Sequence, residues 1–163
     1  MPAGWNSTMA VVGSFLAAFM LSMVPMREGM VAWWPAWPLL VLIYWCLILP
    51  QRVGILTAWI AGLLLDGVKG GALGQYALSM SLVAYLCLLS YRRWRHFTLV
   101  QFSGLMVGLV TLHQFTCYWL ASITGSAGKL LPWLTVAIAS MVAWMVVYPL
   151  LNWMTRLLRI ERS

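Results

Sequence analysis

Apolar residues run along this chain in six long stretches, each nearly free of charge and each about as long as a bilayer is thick. About 20 residues of helix, at 1.5 Å rise per residue, cross a hydrocarbon layer ~30 Å thick. The core of the first stretch is residues 9–25, MAVVGSFLAAFMLSMVP. It lacks the basic leader and small-residue cleavage site of a signal peptide, so it reads as a retained span. The others are residues 31–50, 53–69, 71–91, 98–124 and 131–158. In the second, Pro35 and Pro38 fall in the first turns, where a missing backbone N–H costs least, and Pro50 closes it. The third has only 13 residues from Val53 before Asp66 interrupts, so either its helix is short or it carries Asp66 near its far end. The fourth is stopped by Arg92-Arg93-Trp94-Arg95-His96. In the sixth, Pro149 frees the Met145 carbonyl and predicts a kink. Beyond it, an apolar face beside Arg156, Arg159 and Arg162 suits a helix continuing along the membrane surface. The pattern predicts an all-α integral membrane protein, one domain of six transmembrane helices over residues 1–163.

Composition sharpens this reading. Of the 163 residues, 63% are hydrophobic and 8% charged, against about 25% charged in a soluble globular protein. So few charges cannot clothe a soluble monomer. The net charge of +7 on a mostly apolar chain favours an anionic membrane surface, not nucleic acid, as its charged partner. Ten cations also set an orientation. Arg52, Arg92, Arg93, Arg95, Arg156, Arg159 and Arg162 fall on one side of a six-span topology, and Arg27, Lys69 and Lys129 on the other. The arginine-rich side is expected in the cytoplasm, with both termini.

The same scarcity limits chemistry. The acids are Glu28, Asp66 and Glu161, and the histidines, His96 and His113, lie 17 positions apart. Two-metal and carboxylate-pair hydrolases need several such groups in one place. Cys46, Cys87 and Cys117 are odd in number, widely spaced and set in apolar runs, so they read as small buried side chains. No catalytic residue, cofactor or metal ligand is expected.

Asp66 is the strongest single signal. A carboxylate at mid-bilayer costs about 2.5–3.5 kcal/mol to insert. It therefore reads either as a polar anchor or as an interfacial acid at a loop mouth. As an anchor it would cap the fourth helix, accept a backbone N–H, or pair with Lys69 or a partner's cation. Gly62, Gly67, Gly70, Gly71 and Gly74 surround it. Ala58 and Gly62, Gly70 and Gly74, and Gly104 and Gly108 have the small-xxx-small spacing that lets membrane helices approach closely. Gly67 to Gly71 also suits a permissive turn. Asp66, Gly62, Gly70, Gly74, Gly104 and Gly108 are thus candidates for helix packing or partner contact. In the fifth stretch Gln101, Ser103, Thr111, His113, Gln114 and Thr116 suit hydrogen bonding between helices of one bundle. Arg52, Arg92, Arg93 and Arg95 are candidates for cytoplasmic docking, beside the plainer role of topology signal and lipid anchor.

One stretch is familiar as a pattern. The run Pro35 to Gly54, with Tyr44-Trp45 and Leu49-Pro50-Gln51-Arg52-Val53-Gly54, is followed by Gly62-Leu63-Leu64-Leu65-Asp66-Gly67 and then Gly71-Ala72-Leu73-Gly74-Gln75-Tyr76-Ala77-Leu78. It resembles the N-terminal half of MreD, the rod shape-determining membrane protein family of bacteria. The motifs cover about residues 35–90, and beyond Tyr91 the resemblance rests on hydropathy. It implies a non-enzymatic scaffold in the bacterial inner membrane, acting in cell elongation and lateral peptidoglycan synthesis. The implied partners are the single-span protein MreC, the RodA glycosyltransferase with its penicillin-binding transpeptidase, and, at greater remove, MreB filaments and RodZ. It also implies a bundle similar to the substrate-binding subunits of energy-coupling-factor transporters. The competing reading is a small-molecule-binding subunit of a membrane transporter, which requires a polar pocket and a ligand. An intramembrane enzyme is a third, opposed by the lack of any nucleophile–base pair.

Overall fold

Where water is scarce, a backbone must satisfy its own amides, and a helix does so residue by residue. In the computed structural model, which describes residues 3–25, 27, 30, 33–70, 73–94, 99–125 and 133–157, each apolar stretch forms one helix. They are α1 (Ala3–Ser22), α2 (Trp37–Ile48), α3 (Ile55–Lys69), α4 (Gln75–Trp94), α5 (Leu99–Ile123) and α6 (Trp133–Leu157). No strand occurs among the described residues.

The boundaries depart from the hydropathy pattern where local chemistry overrides it. α1 begins well before residue 9, since Ala3 to Thr8 contains no proline and its one glycine, Gly4, falls in the first turn. α2 has 12 residues, about 18 Å of helix, rather than the 20 of its apolar stretch. Pro38 sits in its first turn, which leaves Pro35 outside, and the chain leaves the helix at Leu49, before Pro50. α3 carries Asp66 within its last turn and ends at Lys69. α6 continues through Pro149 to Leu157, and a surface helix beyond it would lie outside the described residues. Six spans were expected. Among the described residues six helices form, and two segments are clearly long and apolar enough to cross a membrane, Gly104–Ile123 and Thr135–Leu157.

α2 is the hub. Pro38 to Cys46 are all buried, and the helix packs against α1, α4 and α6. α3 lies along α4, α4 against α5, and α5 against α6, while α1 also touches α6. Tyr44, Trp144, Tyr148 and Phe102 join α2, α5 and α6 in an aromatic cluster with ring centroids 5.3–6.5 Å apart. The three cysteines are free and buried.

Polarity runs inside out. Outer positions carry large apolar side chains, such as Met20, Leu56, Val146 and Trp153, while Ser7, Ser14, Asp66, Ser79, His113, Thr116, Ser140 and Thr155 are buried. Most of these tie one helix to another. The indole N–H of Trp45 donates to Ser14 Oγ (2.7 Å), joining α2 to α1. Thr155 gives its proton to the Asn152 carbonyl, so Tyr44 donates to Thr155 across α2 and α6 (3.2 Å). The Ala36 amide, just before α2, donates to Ser140 on α6 (3.1 Å). Ser79 on α4 donates to the His113 carbonyl on α5 (3.1 Å) and also bonds that residue's Nδ1.

The closest backbone approach named by a glycine is between α3 and α4. A Cβ on Gly62 would lie 2.3 Å from Ala77 Cα and 2.5 Å from its nitrogen, so the two helices touch main chain to main chain. Gly62→Ala therefore forces the hairpin apart. It should cost about 1–3 kcal/mol and lower the thermal midpoint by several degrees, read by circular dichroism in detergent. Gly108→Ala, where a Cβ would meet nothing within 4 Å, should leave the midpoint unchanged or raise it slightly.

Candidate functional site

Asp66 is 1% exposed, and its carboxylate is fully used inside the protein. Its Oδ2 accepts the amides of Gly74 (3.0 Å) and Ala77 (3.2 Å), and its Oδ1 accepts that of Tyr76 (2.9 Å). The Gly74 carbonyl accepts the first helical bond of α4, from Leu78 (2.9 Å), so Gly74 is that helix's N-cap. Helices usually begin on a residue whose own side-chain oxygen receives the second and third amides. Glycine has none, and Asp66 supplies that oxygen from the neighbouring helix. The negative carboxylate also faces the positive end of the α4 dipole. No ion pair joins it to Lys69, three residues on; the cap has taken that place.

Asp66 also sits at the end of α3. Its carbonyl accepts the Gly70 amide (3.0 Å), after which Gly70 turns left-handed at φ +64°. Gly74 holds φ +95°. Both are backbone settings that L side chains rarely adopt, so here glycine is required by conformation. Gly70 and Gly74 were candidates for a helix–helix seam, and Gly70 also for the turn. They lie in the α3–α4 connection, not on a helix face, and their spacing makes no seam. Gly62 does face α4, and Ala58 is buried as well; they lie four and eight residues before Asp66, respectively, on the same side of α3. Gly67, expected in the turn, is still helical. Gly104 and Gly108 lie on the exposed face of α5, with open space where a Cβ would stand.

Beside the cap is a cleft of about 110 Å³ with a mixed lining, in which Ser22, Lys69, Tyr76, His113 and Gln114 supply polar groups among apolar walls such as Leu65 and Met80. It lies between the end of α1, the approach to α2, the end of α3, and the facing sides of α4, α5 and α6. Lys69 Nζ stands 4.9 Å from the centre of the Tyr76 ring and 3.5 Å from its hydroxyl. The Tyr76 ring in turn lies 5.9 Å from that of His113. Tyr76 thus links the parts of the site: its amide caps on Asp66 and its side chain lines the cleft. Asp66 stood out in the sequence through its charge, whereas Tyr76 and Ser79 did not, because ordinary polar residues in a helix give no sign of their partners. Among the described residues, no three His, Cys, Asp or Glu side chains are placed to hold a metal ion.

The arginine candidates lie elsewhere. Arg52, in the α2–α3 connection, donates to Ser7 Oγ (2.8 Å) and Thr8 Oγ1 (3.4 Å) of α1. It therefore tethers helices in addition to being exposed. Arg92 and Arg93 stand in the last turn of α4, and Arg95 lies outside the described residues.

Comparison with known proteins bears on the whole chain. The family of rod shape-determining protein MreD matches residues 5–158. The rod shape-determining protein MreD of Haemophilus influenzae is 32% identical over 137 residues, covering 76% of this chain and 84% of that protein. No solved structure matches, and the expected likeness to energy-coupling-factor subunits gains no support.

Asp66→Asn retains the side-chain shape but replaces one acceptor oxygen with an NH₂ that cannot receive an amide. It should cost about 1–3 kcal/mol, visible as a lower thermal midpoint in detergent, and Asp66→Ala, which removes both oxygens, should cost more. Asp66→Asn with unchanged stability would mean that the carboxylate's charge and second oxygen are dispensable to the cap.

Proposed function

The chain belongs to the MreD family of rod shape-determining proteins, and from that premise we propose that it is a non-enzymatic scaffold of the cell-elongation machinery. It would lie in the bacterial inner membrane as a six-span bundle with both termini cytoplasmic. There it would bind an MreC-like single-span protein and support lateral peptidoglycan synthesis. RodA and its penicillin-binding transpeptidase would be engaged through that assembly, and MreB and RodZ more indirectly.

The observation that carries this reading is where the polar groups are spent. Asp66, Ser79, His113, Ser14 and Ser140 are committed to contacts between elements of the bundle, while the outer face is apolar. Such a surface offers packing to lipid and to other membrane helices, where association rests on close fit. Among the described residues two helices are clearly of spanning length, and α2 is enclosed by its neighbours. A six-span bundle therefore requires the shorter helices to cross as parts of the packed whole. The arginine-rich connections argue for the cytoplasmic placement. A transporter subunit fits less well, since the cleft of about 110 Å³ is well below the roughly 300–1,000 Å³ of a small-molecule pocket.

Depleting the protein from its rod-shaped host should yield rounded cells, and affinity purification from detergent-solubilised membranes should recover the single-span partner. Cells that keep their rod shape, or a purification that never retains that partner, would overturn the scaffold reading.

A further inference from the structure

The cleft beside Asp66 is small, open, and holds a few polar groups among apolar walls at a level where several helices end. Ser22 is the last residue of α1, Lys69 the last of α3, and Trp34 lies just ahead of α2. In a membrane protein, helix ends and tryptophan rings gather at the depth of the lipid head groups.

The donors that line it are not equally free. The Ser22 hydroxyl is committed to the Ala18 carbonyl (2.9 Å), and the Trp34 indole N–H to the Leu21 carbonyl (3.2 Å), so these two form walls. His113 Nδ1 is engaged with Ser79. Lys69 keeps most of its donor capacity, because its polar contact is the Tyr76 hydroxyl and no carboxylate pairs with it among the described residues. That hydroxyl, accepting from Lys69, retains its own proton. Gln114 lines the cleft with no side-chain hydrogen bond to another described residue. The nearby acid does not neutralise the cation by contact, since the Asp66 oxygens are occupied by three amides of the α4 terminus.

We propose that this cleft binds a phosphate group, held by Lys69 Nζ, the Tyr76 hydroxyl and the Gln114 amide. A cation beside two neutral donors suits a tetrahedral oxyanion, whose bonds to a charged group are the strong ones. About 110 Å³ accommodates one phosphate with some water but not a sugar or a vitamin-sized ring. Two sources share this chemistry: the head group of an anionic phospholipid, reached from the side, and free inorganic phosphate, reached from the aqueous phase.

The test uses the full chain in lipid nanodiscs. In one arm the discs hold equal phosphatidylglycerol and phosphatidylcholine, and native mass spectrometry reads which lipid stays bound after release. In the other the discs hold phosphatidylcholine alone, and ³¹P line broadening reads the binding of inorganic phosphate. At least fivefold preferential retention of phosphatidylglycerol identifies the head group, and saturable broadening of inorganic phosphate alone identifies the free anion. Whichever signal appears should fall at least fivefold in Lys69→Met and persist in Lys69→Arg. Gln114→Leu, which fills the cleft with apolar volume, should weaken it too. No preference in either arm, or a signal unchanged in both Lys69→Met and Gln114→Leu, would overturn the proposal.

Discussion

A carboxylate removed from water must find its hydrogen bonds inside the protein, and that need fixes how α3 and α4 meet. Desolvating an ion costs several kcal/mol, and good geometry is required to offset it. Asp66 meets the requirement with three amides from one helix end, a group of donors that the helix itself cannot satisfy. The arrangement solves two problems together: an acid without water and a helix start whose cap is a glycine. It works only if the hairpin is tight. Gly62 supplies the close approach, and Gly70 and Gly74 supply the left-handed turns that return the chain. With the hairpin set, Lys69 and Tyr76 are brought to the edge of the cleft that His113 lines from α5.

The remaining polar groups follow the same logic at lower stakes. A hydrogen bond between membrane helices is worth about 0.6 kcal/mol on average, so the ties from Trp45, Tyr44 and His113 specify partners more than they supply stability. Close packing supplies cohesion, along the α3–α4 hairpin and around α2, whose nine consecutive residues Pro38 to Cys46 are buried. Having spent its polar groups internally, the bundle presents an apolar exterior. That division of labour is the one the proposed scaffold role calls for: a core that fixes shape and an apolar surface left for packing.

Much of this was legible in the residues, for reasons that can be stated. Hydropathy located the helices because an uncharged run of such length has few other ways to satisfy its backbone, and the blocks from Tyr44 to Leu78 pointed to the family. Asp66 was conspicuous because one acid stood in an apolar run, and capping was among its readable roles. Spacing was a poorer guide. Ala58, Gly62 and Asp66 recur at four-residue intervals and lie on one face, but Gly70 and Gly74 share that interval with the helix interrupted between them. Gly104 and Gly108 share it too, on a face that meets no neighbour among the described residues. A spacing becomes a seam only where the helix is continuous and another backbone lies opposite, and neither condition is written locally. The cleft was invisible for the same reason, since Ser22, Trp34, Lys69, Tyr76 and Gln114 come together only after five helices pack. The short α2 was misjudged because hydropathy counts Trp33, Trp34 and Leu49 as helix, whereas the prolines and the turn to Arg52 exclude them.

The claim that Asp66 caps α4 across the hairpin is most directly tested by amide hydrogen exchange, read residue by residue by NMR on the ¹⁵N-labelled chain in nanodiscs. First-turn amides of a helix ordinarily lack intrahelical partners and exchange readily. The account predicts that the amides of Gly74, Tyr76 and Ala77 are protected to the level of the α4 interior, and that all three lose protection together in Asp66→Ala. Rapid exchange at these three positions in the unaltered protein, or protection that survives removal of the carboxylate, would contradict it.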